Sequence, residues 1–250
     1  MAHLLKTDHK KLPLMEEHPV PSEVVQSFLK NLQKLEEGYP LQYILGEWEF
    51  YGHSFYVEEG VLIPRPETEL LVDEVLKRLN KAEPAIGIEL GVGTGCISIT
   101  LLIHKKELKM VGNDINIKAL KLAKKNAERH GVSQRFLIFG GSLFQAVKPF
   151  AFDFLVSNPP YIPSYLWESL PKALKFEGYN SLIGGMKGWE FYQEVSKELD
   201  KYLKKDGFFV FEIGHDQGSV IKEIFEPLGY KVEVHKDYSG QDRVAVGWRL

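Results

Sequence analysis

From residue 86 onward the chain alternates short apolar runs with helical ones, and few folds accept that rhythm. Ile86 to Leu90 reads as a strand and Cys96 to Ile103 as an apolar helix. Lys109 to Asn113 is the next strand, and Ile117 to His130 an amphipathic helix that stops at Gly131. Arg135 to Phe139 and Phe152 to Val156 add two strands. A long irregular stretch follows, then a helix over Trp189 to Leu203, a strand over Gly207 to Ile213 and a helix over His215 to Phe225. Tyr230 to His235 and Arg243 to Trp248 flank a Ser239-Gly240 turn, which predicts an antiparallel pair at one edge. Strands joined through helices run parallel and need cover on both faces. The expected fold is therefore α/β, a mostly parallel seven-stranded sheet with an antiparallel edge strand.

The first 80 residues do not share this rhythm. Residues 1–21 are polar and punctuated by Pro13, Pro19 and Pro21, which predicts a loose segment. Val25, Phe28, Leu29, Leu32 and Leu35 then fall on one helical face that starts at Ser22 and is stopped by Gly38 and Pro40. Residues 41–63 mix aromatic and β-branched residues with Gly46, Gly52 and Gly60, as a short hairpin region would. Glu67 to Leu79 reads as a helix. The expected division is a short helical N-terminal region over 1–39, a linker hairpin and helix over 40–80, and the α/β domain over 81–250.

Asn158-Pro159-Pro160-Tyr161 follows the apolar run from Phe152 to Val156 that reads as a strand. Two consecutive prolines fix two φ angles and remove two backbone donors, and the residue before a proline is kept out of the helical region. Asn158 is thus held extended with its carboxamide beyond the sheet. Its amide oxygen and the Pro159 carbonyl form a pair of acceptors suited to an NH2 group, with Tyr161 as a flat face beside them. A glutamine amide or the exocyclic amine of a base would fit such a clamp.

Glu89-Leu90-Gly91-Val92-Gly93-Thr94-Gly95 occupies the turn between the first strand and its helix. Glycines there let backbone approach a ligand and present helix-start amides. A dinucleotide fingerprint would want a small residue at position 96, where Cys96 stands. Glu89, two residues before the first glycine, suits a ligand with a cationic amino-acid part, and Asp114 at the tip of the second strand suits two ribose hydroxyls. Together they predict S-adenosylmethionine. A glycine turn alone could be only a tight connection, and Asp114 alone could be a helix N-terminal acid.

The stretch from Pro40 to Trp248 resembles the HemK family of class I methyltransferases. That family methylates the N5 of the glutamine in the Gly-Gly-Gln loop of peptide chain release factors. The resemblance rests on Pro40 to Gly46 with Phe50-Tyr51-Gly52, on Ile63 to Glu69, on Phe211-Glu212-Ile213-Gly214 with Gln217, and on Asp237 to Arg243. It implies a Rossmann-like S-adenosylmethionine-dependent enzyme, active in the cytoplasm on a release factor. By the same resemblance, Glu89, Gly91, Val92, Gly93, Thr94, Gly95 and Asp114 would hold the cofactor, with Arg65, Pro66, Glu67 and Thr68 lining the pocket from the other side. Leu143 would sit beside the adenine, preceded by Ser142 where the family often has an acid. Asn158, Pro159, Pro160 and Tyr161 would hold the glutamine, with Asn158, Pro159 and Tyr161 catalytic and Asn158 also near the cofactor. Ser181 to Gly188 resembles a further family run, with Lys187 where an acid is usual. The family's N-terminal domain has several helices, and about one precedes the linker here, so that domain is expected to be reduced.

Other classes find less support. With 44% hydrophobic and 26% charged residues the chain can bury a large core. One cysteine leaves no disulfide framework and no cysteine zinc site, and eight histidines show no ligand spacing, so no metal is expected. Trp189, Phe191, Tyr192 and Val195 read as core, and Cys96 as packing. Lys105, Lys106, Lys109, Lys118, Lys121, Lys124 and Lys125 read as a solvated face. A methyltransferase acting on an exocyclic amine of RNA or DNA would use the same clamp, but a net charge of −3 supplies no evident phosphate-binding surface. A non-catalytic binding module would be expected to have a damaged clamp or glycine turn, and both motifs are intact. Neither direct nucleic-acid binding nor membrane association is expected.

Overall fold

A computed structural model describes residues 1–15, 18–79 and 83–249. A 3-10 helix at His9–Met15 lies within the segment expected to be loose. Helix α1 (Ser22–Glu36) follows, then a short helix α2 (Leu41–Leu45) and a hairpin of β1 (Glu47–Phe50) and β2 (His53–Tyr56). Pro66–Thr68 forms a 3-10 turn that leads into α3 (Glu69–Arg78). The boundary expected between residues 80 and 81 lies outside the described residues.

The alternating part runs β3 (Ala85–Leu90), α4 (Cys96–His104), β4 (Leu108–Asp114), α5 (Ile117–Arg129), β5 (Phe136–Gly140) and β6 (Phe152–Ser157). Three short helices come next, α6 (Lys172–Lys175), α7 (Tyr179–Leu182) and α8 (Glu190–Ser196). The chain closes with β7 (Leu203–Glu212), α9 (Gly218–Phe225), β8 (Tyr230–Lys236) and β9 (Asp242–Arg249). The seven strands from β3 to β9 form one sheet in the order β5-β4-β3-β6-β7-β9-β8. All neighbours pair in parallel except β9, which is antiparallel to both β7 and β8.

This order places the site. The chain leaves β3 towards β4 and β5, then returns to the opposite side of β3 as β6. A parallel sheet whose strand order reverses in this way opens a crevice beyond the carboxyl ends of the strands. The glycine turn after β3, Asp114 closing β4 and Asn158 just after β6 all meet there.

Alternation along the strands builds a core on each face. Phe154 and Val156 pack with Ile99, Leu101 and Phe136 on one side. Leu155 packs with Ile88, Tyr192, Phe209 and Phe211 on the other, as a period of two requires. Gly87 lets β3 pass under the Phe154 ring, since a Cβ there would lie 2.2 Å from its Cζ.

Three elements near the C-terminus differ from expectation in their bounds: α8, β7 and α9. The helix predicted over Trp189 to Leu203 ends at Ser196, a 3-10 turn covers Leu199–Lys201, and Leu203 already belongs to β7. Tyr202 stacks on Phe144 with ring centroids 4.1 Å apart, and its carbonyl accepts from the Phe152 amide at 2.8 Å. Sheet pairing therefore captures a segment with helical spacing. The helix predicted from His215 starts at Gly218, after a turn in which the Gln217 side chain accepts from the Gly214 amide. The apolar face of α1 is uncovered: Val25, Leu29, Leu32 and Leu35 are all exposed. Lys105 departs from the solvated face expected of it. It is buried and donates to the Leu79 carbonyl at 3.2 Å. Among the described residues no helix is long and apolar enough to cross a membrane, and no group of three His, Cys, Asp or Glu could hold a metal.

Candidate functional site

A cavity of about 260 Å³ opens at the crevice. The glycine turn forms one wall. Gly91 (φ 75°), Gly93 (φ 53°) and Gly95 (φ 80°) all take the left-handed conformation that a side chain would strain. Gly91 has nothing within 4 Å of where its Cβ would be, so backbone itself meets the cavity. Gly95 instead serves packing, because a Cβ there would lie 3.0 Å from Ile99 and 3.2 Å from Ala123.

Two carboxyl groups, Glu89 and Asp114, line this space, and no Lys, Arg or His is among the described residues that line it. Glu89 is 1% exposed and accepts from the amide and hydroxyl of Ser98. Burial pushes its carboxyl up to about 8, against the Ser98 hydrogen bonds and with help from nearby Asp114. Burial also raises Asp114, while the amides of Asn116, Gly93 and Ile115 oppose that rise. Its Oδ2 accepts from Gly93 at 2.9 Å and its Oδ1 from Asn116 at 2.8 Å. Asp114 does not cap α5; Asn116 does, accepting from the Lys118 amide at 3.0 Å. Two partly desolvated acids with no resident cation form a pocket complementary to a positively charged ligand. Among the described residues that line it, no cationic side chain is offered to a pyrophosphate.

The rim is the Asn158 corner. Asn158 and Pro160 line the cavity. The loop from Leu182 to Gly188 braces the corner from behind. Ile162 donates to the Leu182 carbonyl at 3.0 Å, Gly184 to the Ile162 carbonyl at 3.0 Å, and Ser164 to the Gly185 carbonyl at 2.8 Å. Gly184 must be glycine, since a Cβ would lie 2.3 Å from the Pro160 carbonyl oxygen. Gln217 donates from Nε2 to the carbonyls of Tyr161 (3.1 Å) and Gly188 (3.2 Å), tying both loops to the start of α9. Glu190 caps the loop, accepting from the amides of Lys187 and Gly188 at 2.9 Å each.

Behind Asn158 lies a buried polar chain. Its Nδ2 donates to Thr68 Oγ1 at 3.0 Å, and Thr68 donates to Glu212 Oε2 at 2.6 Å. Tyr161 donates from its hydroxyl to Glu212 Oε1 at 3.3 Å, and Arg243 donates to the Tyr161 oxygen at 3.5 Å. Asp237 in turn accepts from Arg243 at 3.2 Å.

Of the residues expected at the site, Thr68, Glu89, Gly91, Val92, Gly93, Thr94, Asp114, Leu143, Asn158 and Pro160 share this cavity. Gly95, Arg65, Pro66, Glu67, Pro159 and Tyr161 lie outside its lining. Arg65 is turned away into an ion pair with the buried Glu177, which also accepts from the Ile63 amide at 3.0 Å. Tyr161 presents its hydroxyl to Glu212 and Arg243, so the ring belongs to the support of the corner. Leu143 sits at φ 48°, with its carbonyl accepting from the Asn113 side chain. Sequence reasoning missed Asn113 and Phe191 in the lining and Glu212 behind it. The position of Asn113 beside Asp114 could have suggested it. The helical spacing of Phe191 pointed to the core, and its ring does pack edge-on against Phe211 while it lines the cavity.

A Methyltransferase small domain model matches residues 66–165, and a PrmC N-terminal domain model matches residues 1–46. The Release factor glutamine methyltransferase of Aquifex aeolicus is 48% identical over 249 residues, covering 100% of this chain and 89% of its own. That of Enterococcus faecalis is 37% identical over 230 residues, covering 91% and 82%. Among solved structures, the catalytic domain of hMettl16 in complex with a MAT2A 3′UTR hairpin aligns with a TM-score of 0.65 at 20% identity, covering 80% of this chain and 76% of that one. A methyltransferase from Pyrococcus furiosus aligns with a TM-score of 0.60 at 19% identity, covering 91% and 98%. These two structural likenesses show the fold alone.

Proposed function

The chain belongs to the release factor glutamine methyltransferase family, and on that premise we propose that it methylates a release-factor glutamine. The methyl group would pass from S-adenosylmethionine to the side-chain nitrogen, N5, of the glutamine in the Gly-Gly-Gln loop of a peptide chain release factor. The observation that carries this reading is the placement of the Asn158 corner on the rim of an acidic cavity lined by no cationic side chain among the described residues. An acceptor for an NH2 group thus stands beside a pocket that favours a positive charge.

S-adenosylmethionine, when bound, supplies an electrophilic methyl group. Glu89 and Asp114, the backbone of Gly91 to Thr94, and Leu143 would hold it. The chain's own task is to present the nucleophile. An amide nitrogen is a poor one, because its lone pair is delocalised into the carbonyl. Asn158 Oδ1 and the Pro159 carbonyl would accept the two N–H groups and turn the nitrogen lone pair towards the cavity. Fixed orientation of this kind lowers the barrier without a general base. The same oxygen dipoles favour the positive charge that grows on nitrogen, and the surplus proton leaves to water. Among the described residues that line the cavity there is no His or Lys to act as a base.

Incubation of the purified protein with methyl-labelled S-adenosylmethionine and either an intact release factor or total RNA tests the reading. Label on a glutamine of the release factor supports it. Label on RNA, or on neither, contradicts it.

A further inference from the structure

We infer that Glu212 is a positioning residue for this reaction: through the Thr68 hydroxyl it decides which edge of the Asn158 carboxamide faces the cavity. The inference rests on the proposed function and names a residue that never touches the substrate.

Three residues from distant parts of the chain meet here. Glu212 closes β7, Thr68 ends the turn before α3, and Asn158 follows β6. Glu212 and Thr68 are each 2% exposed, so water does not compete for the bond between them, while Asn158 is half-buried at the cavity. Hydrogen-bond polarity then propagates along the chain. An ionised carboxylate can only accept, and a hydroxyl has a single proton to donate. With that proton given to Glu212 Oε2, the Thr68 oxygen can only accept from Asn158. The amide edge turned to Thr68 must therefore be the NH2, as observed at 3.0 Å. Oδ1 is then the edge left for the cavity that Asn158 lines, where an incoming NH2 group needs an acceptor.

Protonation of Glu212 would undo this order. A carboxylic acid can donate to Thr68, whose own proton then becomes free to bond Oδ1 of Asn158. The amide would turn over and present NH2 to NH2, a clash of donors. The groups facing Glu212 are the Tyr161 hydroxyl, Arg243 with its partner Asp237, Glu67 and the Cys96 thiol, while Tyr192 donates to the Glu212 backbone carbonyl at 2.7 Å. Burial pushes the carboxyl up to about 7; the Thr68 hydrogen bond, Arg243 and Tyr161 oppose it, and Glu67 adds to the rise. The orienting charge is thus lost as pH falls through neutrality.

The test compares wild type with Thr68→Val, Thr68→Ser and Glu212→Gln. For each, kcat and KM for an intact release factor, S-adenosylmethionine affinity by calorimetry and the melting temperature are measured. Thr68→Val keeps the shape but removes the relay, so kcat should fall about ten- to a hundredfold while cofactor affinity stays within about twofold on the same reasoning. Thr68→Ser restores the hydroxyl and should recover most of kcat. Glu212→Gln can donate to Thr68, so it should lower kcat similarly and abolish the acid limb of the pH–kcat profile near 7. A role in folding alone would lower the melting temperature and the active fraction, but would leave that limb in place. Wild-type kcat in folded Thr68→Val, or Thr68→Ser as poor as Thr68→Val, overturns the inference while the proposed function stands. Failure of wild type itself to methylate the factor overturns both.

Discussion

The Asp114 carboxylate accepts a hydrogen bond from the Gly93 amide at 2.9 Å, joining the tip of β4 to the glycine turn that follows β3. The same acid lines the cavity. It therefore holds the turn and still has acceptor capacity for ligand hydroxyls. Charge-assisted bonds of that kind are worth roughly 1.5–3 kcal/mol. Asp114→Ala should weaken S-adenosylmethionine binding about ten- to a hundredfold by that measure. Because the Gly93 and Asn116 amides lose their acceptor, the melting temperature should fall as well. Calorimetry showing unchanged affinity would return Asp114 to a purely structural role.

Glu89 predicts a proton linked to cofactor binding. Its carboxyl is raised to about 8 in the folded, unliganded protein, from an ordinary 4.5. The folded state thus binds more protons than the unfolded state between these values, so this group's contribution to stability falls as pH rises across that window. A cation in the cavity would pull the carboxyl pKa down and release the proton. Calorimetry at pH 7 in buffers of different ionisation heat should show up to about one proton released per S-adenosylmethionine. Glu89→Gln should abolish that release. Binding heats that do not depend on buffer would contradict the electrostatic account of the cavity.

Arg65 and Glu177 lie 112 residues apart and form an ion pair that ties the linker to the stretch after Tyr161. The Glu177 side chain is 2% exposed and that of Arg65 30%. Removing one partner of a fully buried pair costs about 3–5 kcal/mol, and the partial exposure of Arg65 lowers the expectation to about 2–3. Arg65→Ala should lower the melting temperature markedly and leave cofactor affinity little changed. A normal melt with lost affinity would place Arg65 in the cofactor site after all.

The substrate should be read over more than its loop. Remote binding energy commonly positions the reacting centre, and a short Gly-Gly-Gln peptide has little of it. Its kcat/KM should fall well below that of the intact release factor. Equal values would show that the site reads the local sequence alone.

The strand-helix rhythm and the two strand-end motifs were legible because each is local. Apolar periodicity marks β3 to β6, and proline or glycine chemistry marks the turns that follow them. The spacing of Leu203 continues that of Trp189 to Val195, yet Leu203 pairs with Phe152 in the sheet and the Phe152 amide donates to the Tyr202 carbonyl. The support of Asn158 was illegible for a related reason. Thr68 and Glu212 are 144 residues apart, and no local pattern links a hydroxyl in one turn to an acid at the end of another strand. Arg65 and Tyr161 belong to the right motifs, yet their side chains turn to Glu177 and Glu212, which the motifs alone do not reveal.

Turnover of Asn158→Ala tests the central claim most directly. Single-turnover methylation of an intact release factor, saturated with S-adenosylmethionine, isolates transfer from binding. Loss of the amide acceptor should slow the step about a hundredfold or more, while calorimetry shows cofactor affinity within about threefold of wild type on the same argument. A rate close to wild type would contradict the account, because the nitrogen would then need no acceptor at Asn158 to be presented for transfer.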